Sequence, residues 1–417
     1  MNSLQTLVIA QDLPYPALVG KDLRNWQNIY GLSSVSSVGV FGLCSNDPRR
    51  DSSPPLDLAF WRSSTDALLA YPPPRQIVAA RAWPLNPQGH PSDLYYSGTA
   101  ASELADIMAS FKPQIVVVEG LWLYRYIDLL KQFHCRIVLD FHNVEAALFR
   151  EIADATDGDG LPARLIRKLL PARTQMIEQQ VVHAVDQIWV CSDSDARLMK
   201  DLYGVSARVH VVPNAVDVAS YEVARAGQCQ RPGRVNPTGK VLIFPALFGW
   251  SPNVVAASFL INEFFPRLAT VFPDCQLLLA GDRPTPEMMA AAQREPRIVV
   301  TGTVPDMRPY LAAASVLVVP LFQGGGTRFK ILEAFAANLP VISTAKGAEG
   351  LAVRDGTHLL IAETAGEFVD AVQRLWTDER LGKHLAANGL ELVKQSYSFP
   401  VIGQRIAKAV DELRLDR

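Results

Sequence analysis

Three consecutive glycines stand between an apolar run and a helical pattern in the stretch "SVLVVPLFQGGGTRFKILEAF". Gly324, Gly325 and Gly326 predict a strand-to-helix turn, and Thr327 is a suitable N-cap for a helix beginning at Arg328. A glycine turn that leads into a helix N-terminus presents free N–H groups and the positive end of the helix dipole. The stretch therefore predicts a phosphate site.

Two cations and one carboxylate extend this pattern. Arg328 and Lys330 bring full positive charges to the start of the helix, and Glu333 lies three residues after Lys330 on the same helical face. A carboxylate in that position suits a neutral polar group beside the phosphates, such as a ribose. The alternative is an ordinary tight turn with a solvated basic helix start. The sequence contains no GxxxxGK[ST] motif, and no GxGxxG opens the first crossover helix, which disfavours P-loop NTPases and nicotinamide enzymes.

A second candidate group follows the apolar run "RIVLDF". His142 and Asn143 come just after this predicted strand, where ligands bind in open α/β sheets, and a neutral imidazole there can hydrogen-bond a hydroxyl or move a proton. A structural histidine is the alternative. Glu145 is expected to be an acid in the first turn of the next helix.

Metal and disulfide chemistry find little support in the sequence. Two DxD patterns occur, at Asp157 and Asp159 in a glycine-rich turn and at Asp193 and Asp195 at a predicted helix start, and neither is expected to bind a metal. The five cysteines are widely spaced without a CxxC pair, which predicts buried thiols in a reducing compartment.

Length and charge limit the class of protein. A chain of 417 residues exceeds the size at which one core stops growing, so two domains are expected. Lys plus Arg number 40 against 42 Asp plus Glu, a formal charge of -2, so we expect no nucleic-acid partner. The N-terminus lacks a basic segment and a long apolar segment, and no run approaches ~18 apolar residues, so a cytoplasmic location is predicted.

Short apolar runs alternate with helical patterns in two series, which predicts two parallel α/β sheets. The runs are "LQTLVIA", "SSVGVFG", "QIVVVEG", "CRIVLD", "QIWVCS" and "RVHVVP", then "KVLIFPAL", "CQLLLAG", "RIVVTG", "SVLVVP" and "LPVIST". A Gly-, Pro- and Arg-containing stretch without periodicity separates the series. We predict an N-terminal domain at 1–218, a linker at 219–239 and a second domain at 240–398.

Several segments taken together resemble the GT-B fold glycosyltransferases of family 4, also called group 1. They are "WVCSDSDARLM", "VVPNAVD", "LLLAGD", "VTGTVPDMRPYLAAASVLVVPL", "GGGTRFKILEAFAANLPVIST" and "GAEGL", and they cover about the second half of the chain. The resemblance implies two Rossmann-like, doubly wound domains facing a central cleft, with a last helix at 399–417 that packs back on the first domain. It also implies a retaining, metal-independent transferase without a cofactor, which takes a sugar from a nucleotide diphosphate sugar.

The resemblance assigns residues to roles. Arg328, Lys330 and the backbone at 324–327 would hold the diphosphate, Glu333 would bind the ribose, and His142 would lie near the donor sugar and acceptor. The remaining positions are Gly302, Thr303 and Val304 beside the base, Glu349 in "GAEGL" and Asn253 on the donor side, and Gly20 and Asn143 on the acceptor side or in the cleft.

The sequence departs from the family pattern at two points. Gly325 stands where the first glutamate of the E-x7-E motif is expected, which puts recognition of the sugar in doubt. The segment "PALFGWSPNVVAA" lacks the usual Arg and Lys, so Arg328 and Lys330 would replace them. In the same loop Asn253 is predicted to cap the following helix.

The acceptor is left open by the sequence as a glycan, a lipid-linked molecule or another glycoconjugate. The basic and apolar segment 161–175 could rest on an anionic membrane surface as a peripheral contact or pack as a helix with one solvated face. Two other functions also stay open: a nucleotide-sugar 2-epimerase of the same fold, and a catalytically inactive nucleotide-sugar-binding protein, which Gly325 favours.

Overall fold

The chain forms two compact units in the computed structural model. The structure describes residues 4–17, 19–44, 53–65, 84, 86, 89–154, 161–236 and 240–415. One unit comprises Met1–Asn214 with Ile402–Arg417, and the other comprises Ala215–Val401. The chain thus enters the second unit four residues before the predicted boundary at 218 and leaves it after Val401.

The first unit contains a seven-stranded parallel sheet in the order β3-β2-β1-β4-β5-β6-β7. Its strands are β1 (Gln5–Asp12), β2 (Ser37–Cys44), β3 (Phe60–Ser63), β4 (Ile115–Glu119), β5 (Arg136–Phe141), β6 (Gln187–Val190) and β7 (Val209–Val211). The six predicted strands are confirmed, and the edge strand β3 is additional. The strand order reverses between β1 and β4, which makes their carboxyl ends the expected ligand position.

Helices cover this sheet, and one of them comes from the end of the chain. The helices before β7 are Gly20–Ser33, Gly98–Phe111, Ile127–Leu130, Glu145–Asp154, Leu161–Val182 and Asp193–Tyr203, with 3-10 turns at Pro91–Tyr95 and Leu121–Tyr126. From Ile402 onward, the last helix (Phe399–Leu415) belongs to this unit. A Cβ at Gly31 would lie 2.6 Å from Ile406 Cδ1, so glycine lets these two helices approach closely.

The second unit contains a six-stranded parallel sheet in the order β10-β9-β8-β11-β12-β13. The strands are β8 (Val241–Pro245), β9 (Gln276–Ala280), β10 (Ile298–Gly302), β11 (Val316–Val319), β12 (Val341–Ser343) and β13 (Leu360–Ile361). The five predicted strands are confirmed, and β13 is additional. Here the strand order reverses between β8 and β11, so the second expected ligand position lies at their carboxyl ends.

The helices of the second unit include one that meets the length and composition criteria for crossing a membrane. This helix runs from Ser251 to Val271, with a π-helical turn at Leu260–Phe264, and its apolar side chains Phe259, Leu260, Phe264, Phe265 and Leu268 are buried in the core of the unit. The other helices are Pro286–Arg294, Arg308–Ala313, Phe329–Ala336, Ala365–Thr377 and Glu379–Ser396.

The segment predicted as a linker belongs to the second unit. A 3-10 turn at Val218–Tyr221 and a helical turn at Glu222–Arg225 start this segment, and Tyr221 is buried in the core of the unit. The sequence did not reveal this packing, because helical turns of four residues are too short to produce a measurable hydrophobic periodicity.

Candidate active site

The glycine turn of the second unit connects β11 to the helix Phe329–Ala336. Gly324 and Gly326 have φ angles of 114° and 70°, which favour glycine, and a Cβ at Gly324 would meet the guanidinium of Arg328 at 3.2 Å. The helix begins one residue later than predicted, with Arg328 in the N-cap position and no side-chain cap bond. The prediction of Thr327 as N-cap is therefore wrong, because the left-handed glycine at 326 shifts the first helical residue to Phe329.

Arg328 turns its side chain back onto the glycine turn. Its Nη2 donates to the Gly324 carbonyl at 2.7 Å, and its Nη1 donates to the Gly325 carbonyl. These bonds fix the turn and bring the guanidinium charge beside it. Arg328 thus has a structural role in addition to the charge that the sequence predicted for it.

Lys330 reaches across the point where the strand order reverses. Its Nζ donates to Asn253 Oδ1 at 3.3 Å in the segment after β8 and lies 4.1 Å from the ring centroid of Phe244. Burial and the charge of Arg328 together lower the pKa of Lys330 to about 7, although the charge of Glu333 opposes the shift. The ammonium group is therefore ready to be stabilised by an anion.

Asn253 is not the helix cap that the sequence predicted. The helix begins at Ser251, with Trp250 in the N-cap position, so Asn253 is the third helical residue. Its Nδ2 donates to the Leu247 carbonyl at 2.9 Å, and this bond orders the segment after β8 and turns Oδ1 to Lys330. The prediction failed because Pro252 suits the first turn of a helix and places the start before it.

Glu333 lies one turn after Lys330 and is partly exposed. Burial raises its pKa, whereas the hydrogen bond from Tyr221 and the charge of Lys330 lower it. The Tyr221 hydroxyl donates to Glu333 Oε1 at 2.6 Å. The sequence did not reveal this partner, which lies 112 positions away.

The predicted base-binding residues lie at the edge strand β10. Gly302 ends β10 with a φ of 68°, and Thr303 Oγ1 donates to Asp282 Oδ1 at 2.7 Å after the neighbouring strand. Thr303 is exposed, and Val304 is half-buried. β10 lies three strand positions from β11, a separation of roughly 14 Å at the usual strand spacing. These residues share the carboxyl edge of the sheet with the glycine turn.

Glu349 follows β12 on an exposed part of the same edge. Its Oε2 forms an ion pair with Lys346 Nζ at 2.6 Å. Nearby, a Cβ at Gly347 would lie 2.4 Å from Ser343 Oγ, and the Gly347 N–H donates to Thr344 Oγ1 at 2.9 Å. Glycine is therefore required at position 347 for the loop to approach the strand ends.

In the first unit, His142 lies directly after β5 and contacts two carboxylates. Its Nε2 is 3.4 Å from Asp140 Oδ2 and 3.5 Å from Glu119 Oε2. Burial lowers the pKa of His142, but hydrogen bonds to Asp140 and Glu119 and their charges outweigh this effect and raise it to about 9. The structure therefore favours the imidazolium form over the neutral imidazole that the sequence predicted.

The Asn25 amide bears on this protonation state. With its nitrogen toward Glu119, it donates to Oε2 at 3.0 Å and to the Lys21 carbonyl at 2.9 Å, and it lies 3.0 Å from His142 Nε2. That last contact suits an unprotonated Nε2. Two carboxylates outweigh one amide dipole, so we assign the proton to His142.

Arg24 neutralises the carboxylate beneath His142. Its Nε and Nη2 donate to the two oxygens of Asp140 at 2.7 and 2.5 Å, and its Nη1 donates to the Val212 carbonyl and Asn214 Oδ1, both at 2.9 Å. Burial raises the pKa of Asp140, but Arg24 and His142 hold it well below the usual range. Asp140 is therefore ionised at neutral pH.

Glu119 ends β4, and it is the more easily protonated member of this group. Asn28 Nδ2 donates to its two oxygens at 3.2 and 3.3 Å. Burial and the charge of Asp140 raise the pKa of Glu119 to about 7, although His142 and Arg24 oppose the shift. Glu119 at the end of β4 and Asp140 near the end of β5 thus both hold His142.

Glu119, Asp140 and His142 also form a set that could hold a metal ion, since one ligand atom from each lies within 4.8 Å of the others. Arg24 occupies both oxygens of Asp140, so a cation would compete with a buried guanidinium for them. The arrangement therefore fits a hydrogen-bonded histidine better than a metal centre.

Asn143 and Glu145 continue from His142 into the next helix. Asn143 Nδ2 donates to Glu145 Oε1 at 3.5 Å, and Glu145 is the first residue of its helix, as predicted. Burial raises the pKa of Glu145 to about 7. The backbone N–H groups of Glu145 and Ala146 donate to Glu178 at 2.7 and 3.3 Å, so Glu178 caps this helix.

Gly20 lies after β1, at the other side of the point where the strand order of the first unit reverses. It is exposed and begins the helix Gly20–Ser33, which also carries Arg24 and Asn28. Gly20 therefore occupies the carboxyl edge of the sheet that His142 also occupies.

The remaining motifs have structural explanations or lie outside the described residues. Asp157 and Asp159 fall outside them, whereas Asp195 accepts a hydrogen bond from the N-cap residue Ser192 at 2.7 Å at the start of its helix. In the basic helix, Arg173 Nη1 donates to the Gly89 carbonyl at 2.8 Å, so this arginine serves a protein contact.

The sequence prediction missed the polar network below His142. The sequence does carry a signal for it: an acidic residue ends the apolar strand "IVVVE", another is next to last in "RIVLDF", and "LRNWQN" puts several polar residues on a helix that must cover the sheet. Buried charges require partners, so Glu119 and Asp140 predict a nearby cation.

Two family models match this chain. Glycosyltransferase Family 4 matches residues 59–220, and Glycosyl transferases group 1 matches residues 239–378. Among curated relatives, D-inositol 3-phosphate glycosyltransferase of Kribbella flavida is 27% identical over 342 residues, which are 72% of this chain and 77% of the relative. Alpha-D-kanosaminyltransferase of Streptomyces kanamyceticus is 26% identical over 149 residues, 34% of this chain and 39% of the relative.

Solved structures share the architecture at low sequence identity. Sucrose-phosphate synthase from Thermosynechococcus elongatus superposes with a TM-score of 0.74 and 16% identity, covering 99% of this chain and 100% of that one. Anabaena Alr3699/HepE in complex with UDP and glucose superposes with a TM-score of 0.67 and 12% identity, covering 97% and 99% of the two chains.

Proposed function

Because this chain belongs to the group 1, family 4 glycosyltransferases with the GT-B fold, we propose that it transfers a sugar from a nucleoside diphosphate sugar to a hydroxyl acceptor with retention of configuration. The observation that carries the proposal is the position of Lys330. Its half-buried ammonium group lies beside the glycine turn and reaches Asn253 across the point where the strand order reverses.

In this proposal the diphosphate binds between the N–H groups of the glycine turn and Lys330, while Arg328 fixes the turn and adds charge. Glu333 receives hydrogen bonds from the ribose, and the exposed end of β10 at Gly302 and Thr303 lines the base. UDP is the first nucleotide to test, since Anabaena Alr3699/HepE is described in complexes with UDP and UDP-glucose.

The chemistry follows from where charge develops. The bond between the anomeric carbon and the diphosphate oxygen breaks, and the acceptor oxygen bonds to that carbon on the same face. The acceptor proton passes to the departing diphosphate. Negative charge on the leaving group increases in the transition state, so Lys330 and the turn N–H groups stabilise it more than the ground state without needing a metal or other cofactor.

His142 has a positioning role in this scheme. Because Asp140 and Glu119 hold Nε2, the imidazolium can offer its Nδ1–H to a hydroxyl of the sugar or to an acceptor oxygen. A Cβ at Gly120 would contact the imidazole, at 3.7 Å from Cε1 and 3.8 Å from Nδ1, so glycine leaves the Nδ1 side of the ring uncovered there.

The acceptor class is proposed from the relatives alone. The Kribbella relative is named for D-inositol 3-phosphate, so a phosphorylated cyclitol is the first acceptor to test, followed by glycans and lipid-linked acceptors. We place the reaction in the cytoplasm, and a lipid-linked acceptor would bring the protein to the membrane periphery.

A 2-epimerase remains the second candidate. Glu119 and Glu145 have pKa values raised to about 7 by burial and lie near His142, and carboxyls of that kind can exchange protons with a sugar. An inactive binding protein would instead follow from Gly325, which provides no carboxylate for the sugar.

One experiment separates the three functions. The protein is incubated with UDP-, GDP- and ADP-sugars, with and without acceptors, and the sugar products are followed by NMR. Transfer or slow hydrolysis that releases the α-configured sugar from an α-donor supports the proposal. Interconversion of two nucleotide sugars supports the epimerase, and binding without any product supports the inactive protein.

A further inference from the structure

Tyr221 contacts the carboxylate that the proposed function assigns to the ribose. Its hydroxyl donates to Glu333 Oε1 at 2.6 Å, and only 8% of its surface is exposed. Burial raises the pKa of Tyr221 well above 10, so the hydroxyl remains a donor at physiological pH. Glu333 itself stays partly exposed on the carboxyl edge of the sheet.

Two arginines hold the turn that carries Tyr221. Arg225 Nη1 donates to the Val218 carbonyl at 3.1 Å and to the Ala336 carbonyl at 2.5 Å, which joins this turn to the last residue of the helix that carries Glu333. Arg308 Nη1 donates to the Ser220 carbonyl at 3.0 Å. The carbonyls of Val218 and Ser220, just before Tyr221, therefore accept hydrogen bonds from the helical turn Glu222–Arg225 and from the helix Arg308–Ala313.

A glutamate side chain has several rotatable bonds, and fixing it before a ligand arrives reduces the entropy lost on binding. The hydroxyl of Tyr221 occupies one oxygen of Glu333 and so determines where the other points. The same hydrogen bond opposes the effect of burial on the pKa of Glu333 and favours the ionised carboxylate, which is the better acceptor.

We propose that Tyr221 is a positioning residue for nucleotide recognition, which holds Oε1 of Glu333 so that Oε2 accepts hydrogen bonds from the ribose hydroxyls. This inference rests on the proposed function. It adds a residue from the segment 219–239, which the sequence pattern predicts to be a linker.

The test is Tyr221→Phe, which removes the hydroxyl and keeps the ring in the core. Calorimetry measures the affinity of UDP and of 2′,3′-dideoxy-UDP, or of the matching pair for whichever nucleotide binds. We expect the variant to bind the ribose nucleotide about 3- to 10-fold more weakly and the dideoxy nucleotide as wild type does. Tyr310→Phe, a similar change in the same unit, should alter neither affinity.

Glu333→Gln separates failure of this inference from failure of the proposed function. If Glu333→Gln weakens only ribose binding while Tyr221→Phe has no effect, Tyr221 does not position the carboxylate. Equal weakening of both nucleotides by Tyr221→Phe would also overturn the inference, since it indicates general loss of structure. If Glu333→Gln itself does not distinguish the two nucleotides, the ribose assignment is wrong and the inference falls with it.

Discussion

The buried pair of Arg24 and Asp140 gives the most quantitative prediction. The two side chains are 2% and 0% exposed, and Arg24 also donates to Val212 and Asn214. Arg24→Met leaves the Asp140 carboxylate buried without its guanidinium. Removing one partner of a buried ion pair costs about 3 to 5 kcal/mol, so we expect the free energy of unfolding to fall by that amount.

Urea unfolding followed by tryptophan fluorescence measures this loss, since five of the seven tryptophans belong to the first unit. The control is Arg24→Met with Asp140→Asn, which removes the unpaired charge and should restore at least half of the lost stability. The reasoning is refuted if Arg24→Met costs less than about 1 kcal/mol, or if the double variant is no more stable than the single one.

The ion pair of Arg24 and Asp140 also makes the free energy of unfolding depend on pH. Arg24 holds the pKa of Asp140 below its unfolded value, so the stabilisation is present above about pH 4 and is lost as pH falls through the folded pKa. The stability difference between wild type and Arg24→Met should therefore shrink below about pH 4. A difference that stays constant down to pH 2 would mean that Asp140 is not the group involved.

Three further predictions concern the titratable groups of the two units. The pKa of His142 is raised to about 9, so the contribution of its charge to the stability of the fold is fully present below about pH 6.5 and is lost as pH rises through 9. NMR of the histidine ring should show this titration, and Glu119→Gln should lower the pKa of His142. Because the pKa of Lys330 is lowered to about 7, its amine is largely unprotonated at pH 8, and binding of a nucleoside diphosphate at that pH should be coupled to uptake of roughly 0.9 proton by Lys330. Calorimetry in buffers of different ionisation enthalpy measures this uptake, and Lys330→Met should abolish it. Glu333→Gln should weaken the binding of the donor and of the free nucleotide by the same amount, about 1.5 to 3 kcal/mol, with little change in kcat. Loss of turnover with unchanged nucleotide affinity would instead show a catalytic role for Glu333.

Buried parallel strands were predictable because both of their faces are apolar. Runs such as "IVVVE" and "KVLIFP" are confirmed as β4 and β8. The two missed strands lie at sheet edges: β3 has four residues, only part-buried or exposed, and β13 has two. Strands this short provide too few alternating positions to be distinguished from loops.

The candidate site was predictable where it depends on local sequence. The glycine turn and Lys330 lie within seven residues of each other, so their spacing alone indicates an anion site. The contacts of Glu333 with Tyr221 and of Asp140 with Arg24 join positions 112 and 116 apart, and only the fold brings them together. The predicted starts of the helices after β8 and β11 are wrong by three residues and one residue respectively, since Pro252 and the conformation of Gly326 decide them locally.

The central claim is that cations and backbone N–H groups of the second unit stabilise a departing nucleoside diphosphate without a metal. The most direct measurement is the rate of nucleoside diphosphate release from the nucleotide sugar in the presence of EDTA, for wild type, Lys330→Ala and Arg328→Ala, each checked for intact folding. We predict that wild type keeps its rate in EDTA and that each variant turns over roughly 10² to 10³ more slowly. Activity that vanishes in EDTA and returns with Mn²⁺, or variants that turn over at the wild-type rate, would contradict the claim.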